Sequence, residues 1–220
     1  MLGMERPGLR ELKKQRTRDQ ITQTARRLFA ERGFDGVTVA DIAIEAEVAE
    51  ATVFNYFGTK EDLFFVGMEA FENELIAAVR DRVEGQSVVD AVRRLIVDRA
   101  QRLASPEGTR GASLGARLIA ESPTLQRREL EIAANYTRVL AEFLADETGA
   151  AEQDIRAEVV ANALMGVHRA LVGLVRSLSS AGVPGPEIAA HVEQEAERGF
   201  SMLVHGLGDF GSQASPSQGA

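Results

Sequence analysis

The side chains best suited to acting on another molecule are a cluster of hydrogen-bonding groups: Thr52, Asn55 and Tyr56, with Thr38 before them and Lys60 after. An Asn amide sets a donor beside an acceptor and can read a base edge. Thr and Tyr hydroxyls and a Lys ammonium suit phosphate oxygens. The sequence shows no motif or cluster for bond-making. The 220 residues contain no Cys, which excludes thiol nucleophiles, thiolate metal sites and disulfides together. No G-x-S-x-G or Walker-type loop occurs. His191 and Glu195 are four apart, but two ligands without a third make a poor metal site, and a solvated pair is the better reading. The expectation is a chain that is not an enzyme and holds neither cofactor nor metal.

The elements that position the cluster read as helices. Ile21, Ala25, Leu28 and Phe29 form the stripe of a helix with one buried face, and Gly33 followed by Phe34 ends it. Thr38 with Asp41 makes a capping box for a second helix to about Ala46. A third covers about Glu50 to Phe57, where Val53 and Phe57 face inward and Thr52, Asn55 and Tyr56 are left outside. Thr59 with Asp62 caps a long fourth helix to about Arg82. Two short helices joined by about three residues after a longer one have the spacing of a helix-turn-helix, whose second helix enters the DNA major groove. The same spacing suits a plain helical hairpin with solvated polar residues.

Charge is distributed unevenly. The net charge is −8, yet Met1–Arg32 carries nine Lys and Arg against four acids, and all three lysines lie in the first 60 residues. A basic front on an acidic body fits a chain of which one end meets a polyanion, and fits a solvated basic tail equally. The N-terminus has no apolar segment, and the most apolar stretch, Val159–Val175, is interrupted by His168 and Arg169. The reading is cytoplasmic, with no membrane partner.

From Thr17 to Phe64 the chain reads R-x-x-I-x-x-x-A-x-x-L-F-A-E-x-G-F-D-G-V-T-V-x-D-I-A and then T-V-F-N-Y-F-G-T-K-E-D-L-F. On these residues it resembles the N-terminal domain of TetR-family transcriptional regulators. The resemblance implies an all-α homodimer with a DNA-binding head and a ligand-binding, dimerising body. Carried over by position, Thr38, Thr52, Tyr56 and Lys60 contact phosphates, while Glu50, Ala51 and Asn55 lie near bases. Three positions depart from the pattern: Glu47 where the turn usually has Gly, Ala49 where Ser often caps the third helix, and Phe54 where Tyr is common. They put affinity rather than fold in doubt, so modest affinity with a steep salt dependence is expected.

Beyond the head, helices are expected at about Ser87–Leu103, Ala112–Glu121, Thr124–Thr148, Glu152–Ser179 and Gly185–Val204, and no run alternates long enough for a sheet. The division expected is 1–58 for the DNA-binding head, with the helix-turn-helix at about 38–57, then 59–208 for the ligand-binding and dimerising body, and 209–220 for a Gly/Ser/Gln/Pro tail without structure. The segment Ala116–Ile132 is similar to regulators that sense acyl-CoA-like ligands. Candidate pocket residues are Phe71, Tyr136, Phe143, Asn162 and His168, though a core or interface role is the better reading residue by residue. Val160, Leu164, Val167, Leu171 and Leu174, with Ile188, Val192, Phe200 and Leu203, form apolar stripes for a four-helix dimer interface.

The functional expectation is a repressor. It binds palindromic double-stranded DNA as a homodimer and is released by a small effector, apolar or acyl-CoA-like. The alternatives are an activator, or a helical interaction module whose head no longer binds DNA.

Overall fold

The computed structural model describes residues 8–151 and 153–206. Among them every regular element is helical: α1 Leu9–Arg32, α2 Val39–Glu45, α3 Glu50–Tyr56, α4 Lys60–Phe64, α5 Val66–Arg80, α6 Val88–Gln101, α7 Pro106–Glu121, α8 Pro123–Thr148, α9 Arg156–Ser180 and α10 Gly185–His205, with a 3-10 turn at Arg102–Ala104 after α6. The all-α class therefore stands. The expected tail, 209–220, lies outside the described residues.

The chain divides into two compact units, and not at the expected boundary after 58. The first takes the described residues up to Phe71 together with Leu114–Ile132; the second takes Glu72–Ser113 and the described residues from Ala133 onward. The head extends so far because its core needs the extra residues. Ile21, Leu28, Phe29, Phe34, Ile42, Val53 and Leu63 are joined in one buried cluster by Leu118, Ile119 and Leu125. Three polar bonds fix the same segment. Arg117 donates to the Ala30 carbonyl at 3.3 Å, Ser122 to Asp35 at 3.0 Å, and Arg128 to Asp62 at 2.9 Å.

Local signals in the head work as physical chemistry requires. Gly33 ends α1 with φ 75° and donates to the Phe29 carbonyl, and Phe34 is buried behind it. Both capping boxes form: the Thr38 and Thr59 hydroxyls accept from the Asp41 and Asp62 amides, and each Asp carboxylate accepts from its Thr amide. The hydrogen bonds from Thr38 hold the Asp41 carboxyl below its usual range. The expected helix from Thr59 to about Arg82 is instead two, α4 and α5, broken at Phe65. Phe64, Phe65 and Val66 all pack on the head core. Consecutive residues of a regular helix point about 100° apart, so three in a row cannot share one core without a break.

In the second unit, α6, α9 and α10 pack on one another around Val92, Ile96, Leu164, Met165, Val192 and Phe200. Two Pro residues outside the expected helices, Pro106 and Pro123, prove to be helix starts. Ser105 and Ser122 precede Pro106 and Pro123, and their hydroxyls accept from the Gly108 and Leu125 amides, so α7 begins six residues before its expected start. Gly185 opens α10 where a Cβ would lie 2.0 Å from the Leu103 carbonyl oxygen, a close approach only glycine permits. Arg82 grips Glu147 through two bonds of 2.8 and 2.9 Å, which hold the Glu147 carboxyl below its usual range. By length and composition α9 could cross a membrane, but it carries His168, Arg169 and Arg176 and buries Ala161, Leu164, Met165 and Leu171 within the unit.

The expected dimer stripes need correction. Leu164, Leu171, Ile188, Val192 and Phe200 are buried in the single chain, where α9 and α10 pack on each other and on α6. Their helical spacing reports an internal core. Val167, Leu174 and Leu203 are half-buried and Val160 is exposed; Val159, Met202 and Val204 join it as exposed apolar residues on these helices.

Candidate nucleic-acid interface

The turn between α2 and α3 is a Schellman motif. The Val48 amide donates to the Ala43 carbonyl at 3.0 Å, and the Glu47 amide to the Ile44 carbonyl at 3.1 Å. Its pivot is Glu47, with φ 52°, the one non-glycine residue at positive φ among the described residues. Val48 packs on the head core behind it. The Gln20 amide braces the turn through the Ala46 carbonyl at 2.8 Å. The missing Gly thus leaves the geometry of the motif intact and puts strain at one residue. At the start of α3, Ala49 sits in cap position with extended backbone and no side-chain cap bond.

Val53 and Phe57 anchor α3 in the core. The opposite face is set by residues three, four and one apart: Glu50, Ala51, Phe54 and Asn55 are exposed. Thr52 and Tyr56, expected on the outer face, adjoin the inward pair and are half-buried at the edge of that face. Asn55 keeps its amide without a partner among the described residues. Phe54, absent from the expected contacts, stands in the middle of the face. The signal for it is its spacing of three and four from Ala51 and Glu50, masked by its apolar type.

Two other expected contact residues are already employed. The Thr38 hydroxyl donates to Asp41 at 2.6 Å while capping α2. The Lys60 ammonium donates to the Phe34 and Val37 carbonyls at 3.0 and 2.9 Å and lies 4.2 Å from the Phe34 ring centre. Two of its three N–H groups are thereby spent on holding the α1–α2 loop. Arg18 performs a similar service at the end of α3, reaching the Tyr56 carbonyl at 3.5 Å and covering the Phe57 ring at 4.8 Å. The open positive charge lies further along α1: Arg10, Lys13, Lys14 and Arg16 are exposed.

The five expected pocket residues are divided between the two units. Asn162 is exposed and its amide turns back to the Glu158 carbonyl. Phe71 belongs to the first unit and Tyr136, Phe143 and His168 to the second. Burial, with the charges of Arg99 and Arg169, lowers the His168 imidazole to about 4, so it is neutral at pH 7. Two cavities of the second unit have other walls. One of about 370 Å³ is lined chiefly by Val88, Leu144, Thr148, Ala157 and Val160; the other, about 760 Å³, is a charged groove between α6 and α10 with Arg93, Arg94, Glu193 and Glu197. His191 and Glu195 bring no third ligand: among the described residues no three His, Asp or Glu side chains gather into a metal-holding group, and the His191 ring contacts the Glu187 carbonyl.

Comparison with known proteins is consistent along the chain. Residues 21–66 match the family described as "Bacterial regulatory proteins, tetR family", and residues 86–177 match the "MftR C-terminal domain". The transcriptional regulator TcmR of Streptomyces glaucescens is 33% identical over 144 residues, which cover 61% of this chain and 63%, just under two thirds, of that protein. The mycofactocin biosynthesis regulator MftR of Mycobacterium tuberculosis is 28% identical over 152 residues, covering 69% and 75%. The FadR repressor of Thermus thermophilus, solved with lauroyl-CoA, shares the fold with a TM-score of 0.55 at 22% identity, covering 92% of this chain and all of that one. These relatives are regulators and not enzymes. With the braced turn, the exposed face of α3 and two matches spanning more than half its length, this chain belongs to the TetR family of DNA-binding transcriptional regulators.

Proposed function

We propose that the chain is a repressor that binds a palindromic operator as a homodimer in the cytoplasm and leaves it when a small effector binds the second unit. The observation that carries this is the face of α3, where Ala51 and the unpaired Asn55 amide are exposed on a helix held by an intact Schellman turn. Thr52 and Tyr56 at its edge, the remaining Lys60 N–H and the basic start of α1 serve the phosphates. Thr38 and Glu50 join them through geometry more than charge: Thr38 through the start of α2, and Glu50 beside the bases. Repression needs no further machinery, since a dimer seated on a promoter excludes polymerase by occupancy.

Dimerisation is assigned to α9 and α10 through Val159, Val160, Met202 and Val204, with Val167, Leu174 and Leu203 completing the patch. A two-fold pair sets its recognition helices about 34–36 Å apart, one turn of duplex. An apolar or acyl-CoA-like effector is the assigned class, on the likeness to a lauroyl-CoA-binding protein and on an apolar body. The segment Ala116–Ile132 does not add to that assignment, because Leu118, Ile119 and Leu125 serve the head core. Its role is mechanical. The helices α5, α7 and α8 each run through both units, so an effector that favours one arrangement of the body shifts the population of head spacings.

The test is selection of random duplex DNA on the purified protein, with light scattering of the free and bound forms. A recovered palindrome bound by two chains supports the reading. No enrichment at low salt overturns it in favour of a helical interaction module, and a promoter whose output rises on binding replaces repression by activation.

A further inference from the structure

We propose that Ala51 and Phe54 form a subsite for the 5-methyl group of a thymine, so that each operator half-site holds an A·T pair at one fixed position. This rests on the reading of the head as a DNA interface and deepens it.

The argument starts from an apolar ring in the wrong place for a core. Phe54 is 47% exposed, whereas Phe29, Phe34, Phe57 and Phe65 of the same unit are each 6% exposed or less. It stands one turn after Ala51 on the outward face of α3, with Glu50 four residues before it and Asn55 beside it. A phenyl group donates and accepts no ordinary hydrogen bond, so it can contribute nothing to a phosphate oxygen or to the polar edge of a base. The major groove offers one apolar feature, the thymine C5-methyl, where cytosine presents only C–H. Glu50 strengthens the assignment. Its carboxylate is exposed on the same face and repels phosphate, which directs this face to the groove floor rather than to the backbone. Ala51, with only a methyl side chain, leaves room for the ring and a base to meet. The departure from Tyr at this position thus removes a hydroxyl and leaves the ring alone to meet the methyl.

The experiment uses the full chain and the duplex it selects. Each thymine is replaced in turn by deoxyuridine, which removes the methyl and leaves base pairing unchanged, and Kd is measured for the native protein, Phe54→Ala and Phe54→Tyr. Loss of one buried methyl weakens binding about fourfold per half-site and about fifteenfold when both are changed. One thymine per half-site is expected to show this cost with the native protein and with Phe54→Tyr, which keeps the ring. Phe54→Ala is expected to bind thymine and deoxyuridine duplexes equally. Since Phe54 is exposed, the Ala variant should melt like the native chain; if it does not, Phe54→Gln takes its place in the comparison. Binding that is indifferent to deoxyuridine at every position overturns the subsite, as does an undiminished thymine preference in a folded Phe54→Ala. Failure of the native protein to bind any duplex at low salt is a different result, and overturns the DNA-binding reading itself.

Discussion

Replacing Glu47 by Gly should stabilise the protein, and the size of the gain follows from the turn. Glu47 occupies the C′ position of a Schellman motif, where φ is 52° and the residue must be left-handed. For an L-residue with a Cβ that conformation costs roughly 1–2 kcal/mol. Gly removes this cost but loses more freedom on folding, which takes back roughly 0.5–1 kcal/mol. The net gain is about 0.5–1 kcal/mol, or about 1–4 °C in Tm for a chain of this length. The side chain is exposed, so no packing is sacrificed. Urea titration is the assay: the midpoint should rise with an unchanged slope. Glu47→Gln separates strain from charge, because it keeps the left-handed Cβ and removes only the carboxylate. A Gln variant as stable as the Gly variant, or a Gly variant no more stable than the native chain, refutes the reasoning.

Ala49→Ser should add a side-chain cap to α3 and gain about 1 kcal/mol, read as a higher urea midpoint. His168, lowered to about 4 from 6.5, binds its proton more readily in the unfolded chain, so its contribution is full above pH 6.5 and is lost as pH falls toward 4. The unfolding free energy from urea titration should therefore drop between pH 7 and pH 5 by up to about 1.4 kcal/mol per pH unit, and His168→Gln should flatten that slope. Asn55→Ala should cost about 1–3 kcal/mol of affinity for the selected duplex and relax its preference at one position, measured by repeating the selection. Lys13→Gln with Lys14→Gln should weaken binding to all duplexes alike and lower the slope of log K against log salt by about 0.9 for each phosphate no longer neutralised.

What can be read in the sequence is whatever neighbouring residues decide among themselves. The capping boxes at Thr38 and Thr59, the Gly33 terminus and the inward pair Val53 and Phe57 each depend on residues within one or two turns, and each forms as expected. The strain at Glu47 belongs with them, since a turn of that length demands a left-handed residue. Where a residue's fate depends on a distant segment, the local pattern misleads. Helical spacing in α9 and α10 cannot tell a face that meets α6 from one that meets a second chain, so Leu164, Leu171, Ile188, Val192 and Phe200 have the spacing of an interface and the burial of a core. Nothing near Lys60 in sequence announces the Phe34 and Val37 carbonyls, which engage two of its three N–H groups.

The extent of the head shows the same rule and its mechanical consequence. No signal before Phe71 declares that Leu118, Ile119 and Leu125, some fifty residues on, complete its core. Yet once they do, the compact unit that carries α3 extends well beyond residue 58. Arg128 makes the point in one side chain: it bonds to Asp62, and Asp62 is the same carboxylate that caps α4 by accepting from the Thr59 amide. Any displacement of the α7–α8 corner is thus applied through a buried apolar cluster and three polar bonds to the body that holds α3. A packed core transmits such a displacement as a rigid shift rather than absorbing it. The break at Phe65 divides α4 from α5, so such a displacement does not pass along one long helix there.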